Sequence, residues 1–179
     1  GASVPYVRFA SAYNFTAGAE GTTATGSVCR NYKDYTVNMR IDQAPTGAAN
    51  VTLSIGSGTA TQGVDYDFTT NGNFTAPSNV VTFPNGSTAE QPVTIRVYND
   101  AEVEAAESFV FNYSIGGGTN ALAAPSSQSF SFNINDNDLL PTPTTFGGDF
   151  ALGTSETTLN IETPFRSNKQ KFRIQYLFS

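Results

Sequence analysis

The chain has 179 residues, a formal net charge of -6 and no histidine, which excludes Ser-His-Asp and Cys-His catalysis. Hydrophobic residues make up 39% of the chain, enough for a packed core, whereas charged residues make up 13%, about half of the usual share. Residues 1–138 carry 12 acidic and 5 basic side chains, and such an acidic body disfavours nucleic acid as a partner.

Short runs with a period of two recur along the chain. Apolar side chains alternate with Thr, Ser, Asn and Arg, so each run has one dry face and one wet face, as in an antiparallel sheet that is covered on one side. Turn-forming clusters separate the runs at 42–49, 56–63, 84–87 and 116–118. The apolar residues of the runs are Val37, Met39 and Ile41; Val51, Leu53 and Ile55; Val93, Ile95 and Val97; Phe109, Phe111, Tyr113 and Ile115; and Phe130, Phe132 and Ile134.

At least seven such strands with turns between them predict an all-β fold, an antiparallel, immunoglobulin-like β-sandwich over residues 1–138. The two sheets are expected within residues 4–138. The side chains that we expect to be buried are Phe109, Phe111, Phe130, Phe132 and Ile134.

The remaining residues predict a linker and a short β-rich tail. Residues 139–147 contain Pro141 and Pro143, which predict a stiff, extended Pro/Thr linker. Residues 148–179 show strand patterns at 157–162 and 172–178, but two or three strands bury too little to form a core of their own. We therefore expect the tail to be the start of a further domain or an assembly element that contacts other protein chains or copies of itself.

The acidic residues are concentrated in three short windows. If successive strands alternate in direction, windows 100–107 and 136–138 meet at one pole of the sandwich. Converging carboxylates repel unless a cation neutralises them, and a set of oxygen ligands suits Ca²⁺ better than zinc or copper. A solvated acidic loop cluster is the alternative that charge spacing leaves open. The windows hold Asp65 and Asp67; Asp100, Glu102, Glu104 and Glu107; and Asp136 and Asp138.

Five segments, taken in order, resemble the Calx-beta family over roughly residues 4–138. The family includes regulatory domains of sodium/calcium exchangers and many bacterial surface proteins, and the resemblance implies Ca²⁺ binding at one pole of the sandwich. The final Asn-Asp-Asn-Asp before Pro141 is also similar to cadherin interdomain linkers, a rival interpretation with the same chemistry. The five segments are Gly-Thr-Ala-Thr-Gln-Gly-Val-Asp-Tyr at 58–66, Val-Val-Thr-Phe at 80–83, Val-Thr-Ile-Arg-Val at 93–97, Asp-x-x-x-Glu-x-x-Glu-Ser-Phe at 100–109 and Ile-Asn-Asp-Asn-Asp at 134–138.

The resemblance also implies a set of metal ligands by position. Asn99, Ala101 and Asn137 stand where strong binders are richer in Asp, so we expect one or two weakly held ions. Glu107 as a structural residue and Asp67 as a turn residue are the alternatives at those positions. The implied ligands are Glu20, Asp65, Asp100, Glu104, Glu107, Asp136 and Asp138.

These observations lead to one functional hypothesis and two rivals. We expect a non-enzymatic, calcium-binding structural or adhesive module of an exported bacterial surface protein or appendage. The sequence has no initiator Met, no signal peptide and no membrane-spanning run, so we expect an extracellular or cell-surface fragment of a longer precursor. The rivals are a calcium-sensing regulatory domain and an accessory carbohydrate-binding module of a secreted enzyme, which would show a row of exposed aromatic side chains.

Overall fold

The computed structural model describes residues 3–10, 31–100, 102–126, 128–138 and 140, and the backbone of the strands within 14–19, 157–165 and 168–176. These described residues form twelve strands and no helix, which confirms the predicted all-β fold. The strands are β1 (Tyr6–Phe9), β2 (Asn14–Ala19), β3 (Tyr32–Ile41), β4 (Ala49–Gly58), β5 (Tyr66–Thr69), β6 (Val80–Phe83), β7 (Gln91–Tyr98), β8 (Glu107–Ile115), β9 (Leu122–Ala123), β10 (Ser129–Asn135), β11 (Thr157–Phe165) and β12 (Asn168–Tyr176).

The chain divides into two compact units, one with strands β1 to β10 and one with β11 and β12. In the first unit, one sheet has the strand order β5-β7-β3-β1-β9 and the other has the order β2-β10-β8-β4-β6. Most pairs are antiparallel, as predicted, but β1 with β9 and β10 with β2 are parallel. These two pairs join strands that are far apart in sequence, and parallel strands cannot be joined by a tight hairpin.

The core of the first unit is built from the alternating apolar residues of both sheets. Phe109 and Phe111 of β8 are fully buried, as are Phe130 and Phe132 of β10, and Ile134 is 4% exposed. The expected burial of these five side chains is therefore confirmed. In the other sheet, β7 contributes three fully buried residues, Val93, Ile95 and Val97. The residues between them in the same strand are half-buried.

Strand β4 leaves its regular pairing with β8 between Ile55 and Gly58. Gly58 has a φ of +154° and lies directly against β8. A Cβ atom at this position would stand 2.2 Å from the carbonyl oxygen of Ser108 and 2.6 Å from the Cα of Phe109. The close approach therefore requires glycine, and it brings the turn after β4 next to the first residues of β8.

The second unit contains an antiparallel hairpin of β11 and β12. Strands were predicted at 157–162 and 172–178, and the observed strands are longer, Thr157–Phe165 and Asn168–Tyr176. The predicted linker at 139–147 lies outside the described residues, apart from Leu140.

Candidate metal centre

Asp65 closes a tight turn that leads into β5. Its Oδ2 atom accepts a hydrogen bond of 2.5 Å from the backbone N–H of Thr61, and its own N–H donates to the carbonyl oxygen of Thr61 at 2.8 Å. The carbonyl oxygen of Asp65 accepts a hydrogen bond of 2.9 Å from the N–H of Tyr98, at the end of β7. The carboxylate of the half-buried Asp65 is thus held by the N–H of Thr61, and its backbone is held by β7.

Glu107 is the first residue of β8 and is half-buried. The next residue, Ser108, donates its N–H to the Oγ1 atom of Thr59 at 3.1 Å. The carbonyl oxygen of Ser108 accepts a hydrogen bond of 2.9 Å from the N–H of Ala60. These bonds fix the start of β8 against the segment that leads to Asp65, so hydrogen bonds of backbone and side-chain atoms connect the regions of Asp65 and Glu107.

One carboxylate oxygen from each of Asp65, Glu104 and Glu107 lies within 4.8 Å of the other two. Two oxygens that bind one Ca²⁺ at about 2.4 Å stand up to about 5 Å apart, so the observed spacing is compatible with a shared ion. The donors are hard carboxylate oxygens, and the sequence has no histidine. The residues that are present therefore fit Ca²⁺ as the ion, with water or backbone oxygens needed to complete its six to eight ligands.

The other described candidate ligands, Asp100, Asp136 and Asp138, are not part of this group. Asp100 is exposed, and its Oδ1 atom accepts a hydrogen bond of 2.7 Å from the N–H of Glu102. Asp136 and Asp138 are half-buried, and the Oδ2 atom of Asp138 is withdrawn from solvent. Glu20 lies outside the described residues. The assignment of these four residues as metal ligands stays a prediction.

Asp67, which the sequence allowed as a turn residue, is part of a strand in the structure. It lies within β5, opposite Arg96 of β7. Its Oδ2 atom accepts a hydrogen bond of 2.8 Å from the hydroxyl of Tyr98. The interpretation of Asp67 as a turn residue is therefore wrong, because the strand begins one residue before it.

Sequence reasoning did not single out Tyr66, which directly follows Asp65 in the chain. Its ring is fully buried and stacks on the ring of Phe109, with centroids 3.7 Å apart and an angle of 8° between the planes. Burial, followed by the negative charges of Asp67 and Asp65, raises the pKa of Tyr66 to about 12. The available signal was its position directly after Asp65, since the alternation of a strand places one of two neighbours inside.

The fold and the site together define a β-sandwich domain with a group of acidic side chains beside the start of β8. The family model of the Calx-beta domain matches residues 23–138. The chain therefore belongs to the Calx-beta family, as its sequence motifs predicted.

Solved structures with the same fold include Calx domains. The apo-form Calx CBD1 domain is 20% identical with a TM-score of 0.54, and the match covers 76% of this chain and 100% of that chain. The calcium binding domain CBD12 of CALX1.1 is 19% identical with a TM-score of 0.53, and the match covers 87% of this chain and 55% of that chain. Identities of this size establish the fold alone. No curated protein matches the chain in sequence.

No helix within the described part of the chain is long and apolar enough to cross a membrane.

Proposed function

We propose that the chain is a non-enzymatic calcium-binding module in which Asp65, Glu104 and Glu107 contribute ligands to the ion. The observation that carries this proposal is the approach of their three carboxylate oxygens to within 4.8 Å of one another. Negative charges at this spacing repel one another, and a bound cation lowers that repulsion. Membership of the Calx-beta family and the likeness to a domain named for calcium binding support the same function.

Thermal unfolding tests the proposal. An ion that binds only the folded state stabilises it by about 2.7 kcal/mol at a hundredfold excess over Kd, which corresponds to several degrees for a chain of this length. We expect the melting temperature to rise by this amount with calcium relative to chelator, and by less with magnesium at the same concentration. Identical melts with calcium and with chelator would leave a solvated acidic cluster as the account of these residues.

We propose further that the module is a structural or adhesive part of an exported bacterial surface protein or appendage. One of the three grouped carboxylates, Glu104, is exposed, and such a site suits the weak calcium affinities, roughly 10⁻⁴–10⁻³ M, of extracellular modules. A calcium-sensing regulatory domain is the alternative. It requires a change of shape with calcium, so scattering profiles that are superimposable with and without saturating calcium favour the structural role.

Aromatic side chains near the outer face of the first sheet provide a test of the carbohydrate-binding alternative. The guanidinium of Arg96 packs on two aromatic rings, 3.7 Å from the centroid of Tyr32 on β3 and 3.9 Å from that of Phe74 in the loop after β5. A sugar platform needs ring faces that are open for stacking, and here a cation occupies a face of each ring. This arrangement favours a structural module over an accessory carbohydrate-binding one.

We propose that the hairpin of β11 and β12 is an assembly element that contacts other protein chains or copies of the same chain. Its register pairs Leu159 with Ile174 and Ile161 with Phe172, and residues paired across antiparallel strands lie on the same face. The opposite face pairs Asn160 with Arg173 and Glu162 with Lys171. One face of the hairpin is therefore apolar in sequence and the other is polar.

The assembly proposal is tested on the full chain by changing one face at a time. Ile161→Glu places a charge on the apolar face, whereas Asn160→Glu is the matched control on the polar face. We expect the wild-type chain and the control to form oligomers and Ile161→Glu to be smaller, as measured by light scattering. Three equal monomer masses would rule out assembly through this face.

A further inference from the structure

The chain enters the sandwich at the end that is distant from the carboxylate group. Strand β1 begins beside the end of β3, since Val7 pairs with Ile41, the last residue of β3. Strand β3 has ten residues, a length of about 33 Å in an extended strand. Its first residue, Tyr32, pairs with Tyr98, and the N–H of Tyr98 donates to the carbonyl oxygen of Asp65. The length of β3 therefore separates the start of β1 from Asp65.

The chain leaves the sandwich at the opposite end. Ile134 of β10 pairs with Glu107, which is the first residue of β8 and a member of the carboxylate group. Strand β10 ends one residue later, at Asn135. A pull on the two chain ends of the sandwich is therefore directed along its strands and not across them.

The pairing of β2 with β10 is parallel, and it joins strands near the two chain ends of the sandwich. The register places Asn14 beside Ser131 and Thr16 beside Asn133. A pull toward the N-terminus draws β2 in one direction, and a pull toward the C-terminus draws β10 in the opposite direction. The hydrogen bonds of a parallel pair are evenly spaced along the strands. The pull therefore slides the two strands past each other and loads their bonds together, in shear.

The hairpin of β11 and β12 has the contrasting geometry. Its first pair is Thr157 with Tyr176, the first residue of β11 and the last residue of β12. Both chain ends of the hairpin therefore lie at the same end of its strands. A pull on them opens the bonds one after another, starting from this pair.

We propose that the sandwich is a tension-resistant element, in which the β2–β10 pair holds the two chain ends together under a pull. A pair that is loaded in shear yields only when several hydrogen bonds break together, whereas a pair that is pulled apart from one end yields bond by bond. The inference rests on the proposed structural or adhesive role in a surface protein, which it deepens, and it does not require bound calcium.

Single-molecule stretching of the full chain along two directions tests the inference. Both proteins carry Cys29→Ser, because Cys29 is the one cysteine of the chain, and both are attached through two introduced thiols. Ser3→Cys with Leu140→Cys places the pull between the chain ends of the sandwich. Ser3→Cys with Leu122→Cys is the control, because Leu122 pairs with Tyr6 and this pull separates the starts of β1 and β9 across the strands. The three attachment residues are exposed, so melting temperatures equal to that of Cys29→Ser alone are expected.

The pull between residues 3 and 140 should need about threefold more force or greater, because the bonds of the β2–β10 pair share the tension. The measurement is made in chelator. The first event should extend the chain by about 450 Å, the length of the whole stretched segment less its folded length. In the control, the first event should occur at the lower force, since the bonds between β1 and β9 break in turn.

Two results would overturn the inference. Equal forces along the two directions would show that the β2–β10 pair adds no resistance. A first extension of only about 60 Å between residues 3 and 140, the length of residues 3–19, would show that β2 leaves β10 before the rest of the sandwich unfolds. The calcium titration and the scattering profiles measure the proposed function separately, so its failure is distinguished from a failure of this inference.

Discussion

Arg96 holds the carboxylate of Asp34 by two parallel hydrogen bonds, 2.9 Å from Nε to Oδ1 and 3.0 Å from Nη2 to Oδ2. The two residues are direct cross-strand partners on β7 and β3. The hydrogen bond to Asp34 is the largest of the influences that raise the pKa of Arg96. The guanidinium also packs on Tyr32 and Phe74, an arrangement that uses the flat, forked shape of arginine.

Arg96→Lys should therefore destabilise the sandwich although the charge is kept. A lysine cannot make both bonds to Asp34 or stack on both rings, and we expect a loss of about 1 kcal/mol for this partly exposed pair. Arg40→Lys is the control, because Arg40 Nε lies 3.8 Å from Asp42 Oδ1 and its side chain is 48% exposed. Urea unfolding measures both variants, and equal losses would contradict a special role for Arg96.

Gly58→Ala should destabilise the first unit by about 1–3 kcal/mol, because the new Cβ overlaps the backbone of β8. Gly117→Ala is the control, since a Cβ at Gly117 has no heavy atom within 4 Å. Thermal melts should show a fall of several degrees for Gly58→Ala and little change for Gly117→Ala. If Gly58→Ala has the same melting temperature as the wild type, β4 and β8 do not approach as closely as described.

Stability should fall at alkaline pH through Tyr66. A tyrosine is uncharged when protonated, and its pKa rises from 10.0 to about 12 in the folded chain. The folded state therefore holds this proton more tightly, and the resulting stability is complete below pH 10 and is lost as the pH rises toward 12. Urea midpoints at about pH 9 and 11 should differ more for the wild type than for Tyr66→Phe, and equal differences would exclude this contribution.

Much of the core could be predicted because the alternation of apolar and polar residues is visible within each strand's own sequence. Val93, Ile95 and Val97 stand on the same side of a strand whatever that strand pairs with, and all three are buried. The partner of each strand is not a local property. Arg96 and Asp34 are 62 residues apart, and only the register of β7 on β3 brings them together. The parallel pairing of β10 with β2 was missed for the same reason.

In the candidate metal centre, too, some features could be predicted from the sequence and others could not. The approach of Asp65 to Glu107 depends on the close contact at Gly58, which charge spacing does not reveal, and it was expected only through the family resemblance. Asp100 was expected beside them, but it lies outside the group and accepts a hydrogen bond from its own loop. The buried hydroxyl of Tyr66 could not be predicted, since it depends on side-chain packing.

The most direct test of the calcium function is a calorimetric titration of calcium into the wild type, Glu107→Gln and Glu90→Gln. Glu107 belongs to the group of carboxylates, whereas Glu90 is exposed and accepts a hydrogen bond of 3.1 Å from Asn38. Removing one ligand charge should weaken binding by about tenfold or more. We predict equal calcium affinities for the wild type and Glu90→Gln and much weaker binding by Glu107→Gln. Binding by Glu107→Gln that equals that of the wild type would contradict the proposed site, and no binding by the wild type would contradict the function itself.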